Sequence, residues 1–230
     1  MDDSLDRWKR DAAEAAAALV ENGMIVGLGT GSTARHAVEA LGKRVQGGLQ
    51  IVGIPTSEAT AHQAREVGIP VSSLAEHAEI DLTIDGADEI QRGTLDLIKG
   101  HGGALLREKV VASSTRRLII IADYTKLVDR LGTKFEVPVE VVPFGWQAAE
   151  RKLQKLGAHT KLRPGADEKP FVTDGGHFIL DCSFGLIASP AALDQELNSV
   201  VGVVEHGLFL KMTSRAVVAG PDGVKVLLAE

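Results

Sequence analysis

The sequence predicts an α/β fold, a doubly wound, mostly parallel Rossmann-like sheet with a second, smaller α+β domain of ferredoxin-like type. In the first part of the chain, short β-branched runs alternate with helical stretches of about a dozen residues, which is the pattern of a parallel sheet. From about Gly132 the order of elements changes to β-α-β-β-α-β, which is typical of a ferredoxin-like module. We therefore expect a Rossmann-like catalytic domain of residues 1–131 and 208–230, and a small α+β domain of residues 132–207.

Elements of the first part are predicted from apolar runs and from the glycine, proline and capping residues that end them. We expect helices over 4–22, from the glycine turn at 31 to about 45, over 57–67 and from 104 onward, and strands over 24–29, 51–55, 69–72, 80–84, 95–98 and 117–122. Ligands of open α/β sheets bind at the carboxyl ends of the strands. Function should therefore gather at Thr30, Asp85, Lys99 and Lys126, each of which follows a predicted strand.

Elements of the second part are strands and helices of a small mixed α+β domain. We expect strands over 137–142 and 203–205, helices over 146–156 and 190–198, and a hairpin that joins 171–173 to 178–181 across 174–176. A terminal hairpin of 216–219 and 224–228 surrounds the turn at 220–223. We expect this last hairpin to return to the first domain.

Composition and charge narrow the class of protein. Of the 230 residues, 44% are hydrophobic and 24% charged, as in soluble globular proteins. The net charge of −6 argues against broad binding of nucleic acid, which needs clustered basic residues. Cys182 is the only cysteine, so an internal disulfide cannot form and a reducing compartment is expected. The start Met1-Asp2-Asp3 lacks a basic signal-peptide region, and no apolar run reaches the roughly 20 residues that span a bilayer. A cytoplasmic protein without membrane contact is expected.

A glycine-rich turn follows the first predicted strand. The run from Gly27 to Gly31 lacks the third glycine of a dinucleotide fingerprint, and no Walker lysine follows it. The hydroxyls of Thr30, Ser32 and Thr33, together with free amides at a helix N-terminus, suit one phosphate monoester. The alternative is that these hydroxyls only cap the helix.

The stretch from Asp85 to Lys109 concentrates carboxylates, an ammonium and glycines. Asp85 and Asp88 follow one strand, Lys99 follows another, and three glycines precede a helix that carries Glu108. Spacing places Glu108 on an apolar face of that helix, where a carboxylate is a plausible general base. The rival interpretation is that the carboxylates bind Mg²⁺, since their oxygens suit hard cations.

With these segments placed, the chain resembles type A ribose-5-phosphate isomerases along nearly its whole length. The stretches that carry the resemblance are Gly29-Thr30-Gly31-Ser32-Thr33-Ala34, 85–90, 99–109, 122–126, 137–141 and 202–209. The resemblance implies interconversion of D-ribose 5-phosphate and D-ribulose 5-phosphate without a metal or organic cofactor. It also implies a homo-oligomer, either a dimer or a tetramer.

The resemblance also assigns roles to residues. By position, Glu108 matches the proton acceptor of the family, with Asp85, Asp88 and Lys99 as further catalytic residues. The implied substrate-binding residues are Thr30, Gly31, Ser32, Thr33, Asp85, Gly86, Ala87, Asp88, Lys99, Gly100, His101, Gly102 and Lys126. Lys9 stands where the family often has a lysine near the phosphate. The division of work between Asp85 and Asp88 stays open.

Two other functions fit parts of the pattern. A sugar-phosphate sensor would keep the phosphate turn at Thr30 and would need no base, so Glu108 argues against it. A Mg²⁺-dependent sugar phosphatase would use the carboxylates as metal ligands. His101 departs from the Lys-Gly-Gly-Gly form common in the family, and we expect its side chain to point outward as a spectator.

Overall fold

The structure is a computed structural model that describes residues 3–166 and 169–229. The predicted domains include residues 1, 2, 167, 168 and 230, which lie outside the described residues. The helices are α1 (Asp3–Ala17), α2 (Ser32–Gln46), α3 (Glu58–Glu66), α4 (Leu105–Ser113), α5 (Trp146–Lys155) and α6 (Pro190–Asn198). The strands are β1 (Ile25–Leu28), β2 (Val52–Pro55), β3 (Leu82–Gly86), β4 (Glu89–Gln91), β5 (Leu97–Ile98), β6 (Leu118–Asp123), β7 (Leu127–Val128), β8 (Val137–Val141), β9 (His159–Leu162), β10 (Phe178–Ser183), β11 (Val203–His206), β12 (Leu208–Phe209), β13 (Thr213–Gly220) and β14 (Gly223–Leu227).

The largest sheet has the order β14-β13-β6-β3-β1-β2. The five strands from β13 to β2 pair in parallel, and only the edge strand β14 is antiparallel. The predicted Rossmann-like sheet is thus confirmed, and the terminal hairpin does return to it beside β6. Because β2 and β3 flank β1 on opposite sides, the strand order reverses at β1 and β3. That reversal is where ligands of open α/β sheets bind.

Strand alternation sends side chains to two separate cores. Ile119 and Ile121 of β6 pack in the cluster that α1 and α2 cover, whereas Ile120 packs in the cluster that contains Ala112 of α4. On β3 the same period of two puts Leu82 and Ile84 under α1 and α2. Thr83 lies on the other face, where its hydroxyl is 2.6 Å from that of Thr115. Asp85, two residues after Thr83, therefore faces α4.

A second sheet forms the smaller domain and has the order β11-β8-β10-β9. Numbered along the chain, this is the order 4-1-3-2 with antiparallel neighbours, and α5 and α6 complete the β-α-β-β-α-β sequence. The predicted ferredoxin-like architecture is confirmed. All of these elements lie within the predicted small domain, whose boundaries at 132 and 207 stay a prediction. A third sheet, β12-β5-β4-β7, lies over the α4 side of the large sheet.

The predicted hairpin of 171–173 with 178–181 is wrong. β10 pairs instead with β9, a strand of alternating exposed residues that the apolar pattern did not reveal. Residues 171–177 form a loop in which the Thr173 hydroxyl donates to Glu140, at 2.9 Å. The same loop crosses to the large domain, where Asp174 accepts a hydrogen bond from the Glu58 backbone N–H at 2.9 Å.

Two further boundaries differ from the sequence prediction. The first helix ends at Ala17 and not at 22. Tight turns after Ala17 bury Val20, and the Arg44 guanidinium caps this end by donating to the Ala17 and Val20 carbonyls. The predicted strand over 69–72 is reduced to a single bridge between Val71 and Gly53, since Pro70 offers no N–H. Among the described residues, no helix is both long and apolar enough to cross a bilayer.

Candidate active site

A cavity of about 270 Å³ opens at the carboxyl ends of β1 and β3, where the strand order reverses. Its lining comprises Lys9, Thr30, Gly31, Ser32, Thr33, Gly86, Ala87, Asp88, Lys99, Gly100, Gly102, Glu108 and Lys126. All of the predicted site residues are in this lining except Asp85 and His101. The fold therefore brings together segments that lie as far apart in sequence as Thr30 and Lys126.

The Lys99 ammonium binds two carboxylates, Asp85 behind the cavity lining and Glu108 within it. Its Nζ lies 3.0 Å from Asp85 Oδ2 and 3.2 Å from Glu108 Oε1, and it donates to the Gly86 carbonyl at 2.5 Å. Strand β5 delivers Lys99, β3 delivers Asp85 and the first turn of α4 delivers Glu108. All three side chains are at most 4% exposed. Such a cluster is costly to bury, which points to a chemical role.

Burial shifts the protonation equilibria of this cluster. It raises the pKa of the Glu108 carboxyl to about 8, an effect that the Lys99 ammonium opposes and the Asp85 carboxylate reinforces. Burial also raises the pKa of Asp85, against the opposing effects of Lys99 and of the Gly86 and Thr30 N–H groups. Burial lowers the pKa of Lys99, but both carboxylates outweigh burial and hold that pKa above its usual range. Lys99 thus stays an ammonium, while Glu108 exchanges its proton near neutral pH.

One oxygen of Glu108 is left without a partner. Oε1 accepts from Lys99, whereas Oε2 is buried and has no hydrogen-bond partner among the described residues. Leu105, Val111 and Ala112 share the buried side of α4 with Glu108, as the helical spacing predicts. Because Glu108 lines the cavity, its unpaired oxygen is the atom of the cluster that is free to receive a proton from a ligand.

The two aspartates lie in different surroundings. Asp85 is behind the lining, with Oδ1 accepting from the N–H groups of Gly86 at 2.7 Å and Thr30 at 3.2 Å while Oδ2 binds Lys99. Asp88 lines the cavity and is partly exposed, and its Oδ2 accepts from the His101 N–H at 3.1 Å. Asp85 is therefore saturated by protein donors, whereas Asp88 keeps one oxygen for a ligand.

The turn after β1 is shaped by two glycines. A Cβ at Gly29 would lie 2.1 Å from Asp85 Oδ1, so only glycine admits that carboxylate. Gly31 has φ 112° and precedes α2 without a side-chain capping bond. The hydroxyls of Ser32 and Thr33 thus do not cap the helix, which rejects the alternative interpretation of the turn. The first N–H groups of α2 face the cavity and are open to an anion.

Thr30 differs from its expected role at the phosphate. Its Oγ1 lies 2.6 Å from the Thr56, 2.8 Å from the Ser57 and 3.1 Å from the Thr60 side-chain oxygen. The hydroxyl therefore connects the β1–α2 turn to the start of α3, although Thr30 itself lines the cavity. These partners lie 26 to 30 residues away in sequence, and no local pattern connects them with Thr30.

Two lysines that lie outside the stretch from Asp85 to Lys109 also line the cavity. Lys9 of α1 donates to Ser32 Oγ at 3.1 Å, and Lys126 has its Nζ 4.3 Å from the centre of the Phe135 ring. Together with the N-terminus of α2 they make this side of the cavity positive. Phe209, which the sequence analysis did not single out, lies under the cluster, with its ring centre 5.5 Å from Lys99 Nζ and 5.0 Å from Lys109 Nζ.

The glycine loop after Lys99 needs glycine at two of its positions. Gly100 has φ 105° and a Cβ there would lie 2.7 Å from Leu105 Cβ, while Gly103 has φ 82° and a Cβ there would lie 2.4 Å from the Phe171 ring. At His101 the side chain turns away from the cavity, with its ring 5.0 Å from that of Phe135 and Nε2 3.1 Å from the Glu136 carbonyl oxygen. This explains how the loop accommodates a large residue there.

The carboxylates do not converge as ligands for a metal ion. Among residues 3–166 and 169–229, no three His, Cys, Asp or Glu side chains are arranged to hold one. Asp85 and Glu108 converge on the Lys99 ammonium, which occupies the position between them that a cation would take.

Known proteins resemble this chain over nearly its whole length. A family model for ribose 5-phosphate isomerase A (phosphoriboisomerase A) matches residues 52–223. The ribose-5-phosphate isomerase A of Synechococcus sp. (strain JA-3-3Ab) is 56% identical over 225 residues, which is 97% of this chain and 98% of that protein. The structure of ribose 5-phosphate isomerase A from Methanocaldococcus jannaschii superposes with a TM-score of 0.93 at 39% identity, over 97% of this chain and 99% of the other. A D-ribose-5-phosphate isomerase in complex with phospho-erythronic acid superposes with a TM-score of 0.94 at 39% identity, with the same coverage of 97% and 99%.

Proposed function

This chain belongs to the ribose 5-phosphate isomerase A family, and from that premise we propose that it interconverts D-ribose 5-phosphate and D-ribulose 5-phosphate with Glu108 as the general base. The observation that supports Glu108 most directly is its buried, unpaired Oε2 in a cavity lined by polar groups. A carboxylate with a pKa of about 8 is a stronger base than an exposed one and still ionises near neutral pH.

The reaction moves one proton along the sugar. In the open-chain aldose, Glu108 takes the proton from C2, and the electrons of that C–H bond form a C1–C2 double bond as the carbonyl oxygen at C1 becomes negative. The resulting enediolate takes the same proton back from Glu108 at C1, while the proton of the C2 hydroxyl moves to the oxygen of C1. No atom is gained or lost, and the reaction needs only a base, proton transfer between two oxygens, and stabilisation of the enediolate.

Stabilisation of the enediolate comes from the Lys99 ammonium and the N–H groups of the glycine loop. Lys99 is fixed by Asp85, Glu108 and the Gly86 carbonyl, so its positive charge is in place before the substrate binds. Preorganised charge in a site of low exposure acts strongly on a developing anion. When Glu108 takes up the substrate proton, Lys99 loses one carboxylate partner and its charge becomes available to the enediolate.

The two aspartates divide the remaining work. Asp88 transfers protons of the sugar hydroxyls, including the one that opens the ring, because it lines the cavity with an oxygen that no described residue occupies. Asp85 fixes Lys99 and the Thr30 turn, because protein donors already face both of its oxygens.

The phosphate binds where the cavity is positive. The N–H groups that open α2 and the hydroxyls of Ser32 and Thr33 donate to its oxygens, and Lys9 and Lys126 supply positive charge. Anchoring this end holds C1 and C2 at Glu108. The same arrangement suits phospho-erythronic acid, because its carboxylate presents two neighbouring oxygens in one plane, as an enediolate does.

The protein is also proposed to be a cytoplasmic homo-oligomer, a dimer or a tetramer. Cys182 is a free, buried thiol, and a chain with a single cysteine and no internal disulfide suits a reducing compartment. Val224, Val226 and Leu228 lie exposed on or beside the edge strand β14, which supports association. Sedimentation equilibrium tests this, because a species of 24.3 kDa would contradict it.

The test of the proposed reaction is the appearance of ribulose 5-phosphate from ribose 5-phosphate in buffer that contains EDTA, followed by NMR or a coupled assay. A second arm measures release of inorganic phosphate with added Mg²⁺. Isomerisation in EDTA supports the proposal. Phosphate release that depends on Mg²⁺, or saturable binding of ribose 5-phosphate without turnover, would replace it with a phosphatase or a sensor.

A further inference from the structure

Arg163 links the small domain to the glycine loop of the cavity. It follows β9, and its side chain is 11% exposed. On one side its guanidinium donates to both oxygens of Asp181 on β10, with Nε 3.0 Å from Oδ2. On the other side Nη1 donates to the Gly100 carbonyl at 2.9 Å and to the His101 carbonyl at 3.2 Å. One side chain thus holds two successive peptide groups of the loop.

These two bonds fix the directions in which the Gly100 and His101 carbonyls point, and with them the directions of the following N–H groups. In a trans peptide the C=O and the N–H of one peptide group point in opposite directions. Because the Gly100 carbonyl points to Arg163, the His101 N–H points the other way, and it meets Asp88 Oδ2 at 3.1 Å. Because the His101 carbonyl also points to Arg163, the Gly102 N–H points away from Arg163. Gly102 lines the cavity, and in the described part of the chain its N–H has no acceptor.

We propose that Arg163 is a positioning residue, which aims the Gly102 N–H at the developing enediolate oxygen and holds Asp88 in place through the His101 N–H. The inference rests on the proposed isomerase reaction. It makes the small domain part of the catalytic apparatus, since Arg163 touches no substrate yet determines the direction of a donor that does.

The Gly100 carbonyl also accepts from the Gly103 N–H at 3.0 Å, whereas in the described part of the chain only Arg163 donates to the His101 carbonyl. The peptide group between His101 and Gly102 therefore depends on Arg163 for its direction, because the glycines beside it allow rotation. Rotation of the peptide between His101 and Gly102 would replace the inward N–H by a carbonyl oxygen, which would repel an enediolate. Asp181 fixes the plane of the guanidinium, and the planar fork of arginine reaches two carbonyls with the remaining N–H groups. A lysine at this position would supply the charge without the fork.

The test compares Arg163→Lys and Arg163→Ala with Arg151→Ala, a control at an exposed arginine of the same domain. We expect kcat for ribose 5-phosphate to fall about 10²-fold in both Arg163 variants, the scale of losing one aimed N–H donor, while KM changes by less than about threefold. Inhibition by phospho-erythronic acid should weaken at least about tenfold, and inhibition by inorganic phosphate should change by less than about twofold. Added guanidinium ion should restore part of kcat in Arg163→Ala only.

Thermal unfolding identifies variants that do not fold. If an Arg163 variant does not fold, the same kinetic comparison is made with Asp181→Asn, which keeps Arg163 but weakens the contact that fixes the plane of its guanidinium. A kcat within about threefold of the unchanged protein in a folded Arg163→Lys overturns the inference. So does an equal loss of affinity for phospho-erythronic acid and inorganic phosphate, because that result means general damage to the cavity. Absence of isomerisation by the unchanged protein would overturn the proposed function as well, so the two failures are distinguishable.

Discussion

Replacing Glu108 by glutamine removes the proposed base with little change of shape. The amide oxygen of Gln can still accept from Lys99 at the position of Oε1, now 3.2 Å away, and the amide nitrogen replaces the unpaired Oε2. The nitrogen of an amide cannot take up a proton from carbon. Glu108→Gln thus leaves the cavity formed and deletes the proposed base.

The size of the effect follows from the role of the base. General acid–base groups contribute roughly 10² to 10⁴ in rate, and here one group both removes and returns the proton. We expect kcat to fall at least about 10³-fold, which is about 4 kcal/mol of transition-state stabilisation. KM should stay within several-fold, because the groups proposed to bind the phosphate, Lys9, Ser32 and Lys126, are unchanged.

The pH dependence gives a second, independent readout. With the pKa of Glu108 at about 8, only about a tenth of the free protein carries an ionised Glu108 at pH 7. The value of kcat/KM should therefore rise about tenfold per pH unit below pH 8 and level off above it. In Glu108→Gln this rise should disappear from the residual activity.

The measurement is initial rates of ribulose 5-phosphate formation between pH 6 and 9, with Glu66→Gln as the matched control because Glu66 is an exposed glutamate on α3. The control should keep the rate and the pH profile of the unchanged protein. Turnover of Glu108→Gln within tenfold of the unchanged protein would refute the assignment of the base. An unaltered pH profile in that variant would show that another group titrates.

Substitution of Lys126 or Ser32 by alanine should raise KM about tenfold or more with kcat within several-fold, since the phosphate is bound equally in ground and transition states; unchanged KM in both variants would mean that the phosphate binds elsewhere. His101→Ala should keep kcat/KM within about tenfold, because the imidazole lies against Phe135, and a hundredfold loss in steady-state assays with intact circular dichroism would contradict this. Prolonged dialysis against EDTA should leave the rate unchanged, whereas a loss that Mg²⁺ restores would identify a metal site. Urea denaturation should show that the unchanged protein loses stability relative to Glu108→Gln as pH rises from 4.5 to about 8, by up to about 1.4 kcal/mol per pH unit. The reason is that in this window only the folded state still binds the Glu108 proton. A difference in stability that stays constant with pH would contradict the raised pKa.

Elements that bury a continuous apolar run were predictable from the sequence. The strand β6, for example, is buried at every residue, and its β-branched run cannot be confused with a surface segment. Three strands of the third sheet, β4, β7 and β12, were not predicted because they are two or three residues long, too short to show a period. Strand β9 escaped for a different reason, since its residues are half-exposed and read as polar. The hairpin over 171–173 was wrong because this apolar segment is a loop, in which Val172 is exposed and the Phe171 ring lies beside Gly103.

The candidate site was predictable where its residues are contiguous. Asp85 to Asp88, Lys99 to Gly102 and Glu108 lie in one stretch whose residue types already suggest acid–base chemistry. The contacts that hold this stretch in shape join distant segments, and no sequence pattern reports them. The Thr30 hydroxyl meets partners on α3, and Arg163 reaches Gly100 from 63 residues away. Such contacts depend on how the domains pack, which local propensity does not determine.

The arrangement of donors explains why Glu108 and not Asp85 would act as the base. Both carboxylates are buried beside one ammonium, and burial raises the pKa of each of them. A proton on Asp85 would point at the Gly86 or Thr30 N–H or at Lys99, because a donor faces each oxygen. A proton on Glu108 Oε2 meets no donor. Two backbone N–H groups on Asp85 therefore favour its charged form and direct the exchangeable proton to the carboxyl that faces the substrate cavity.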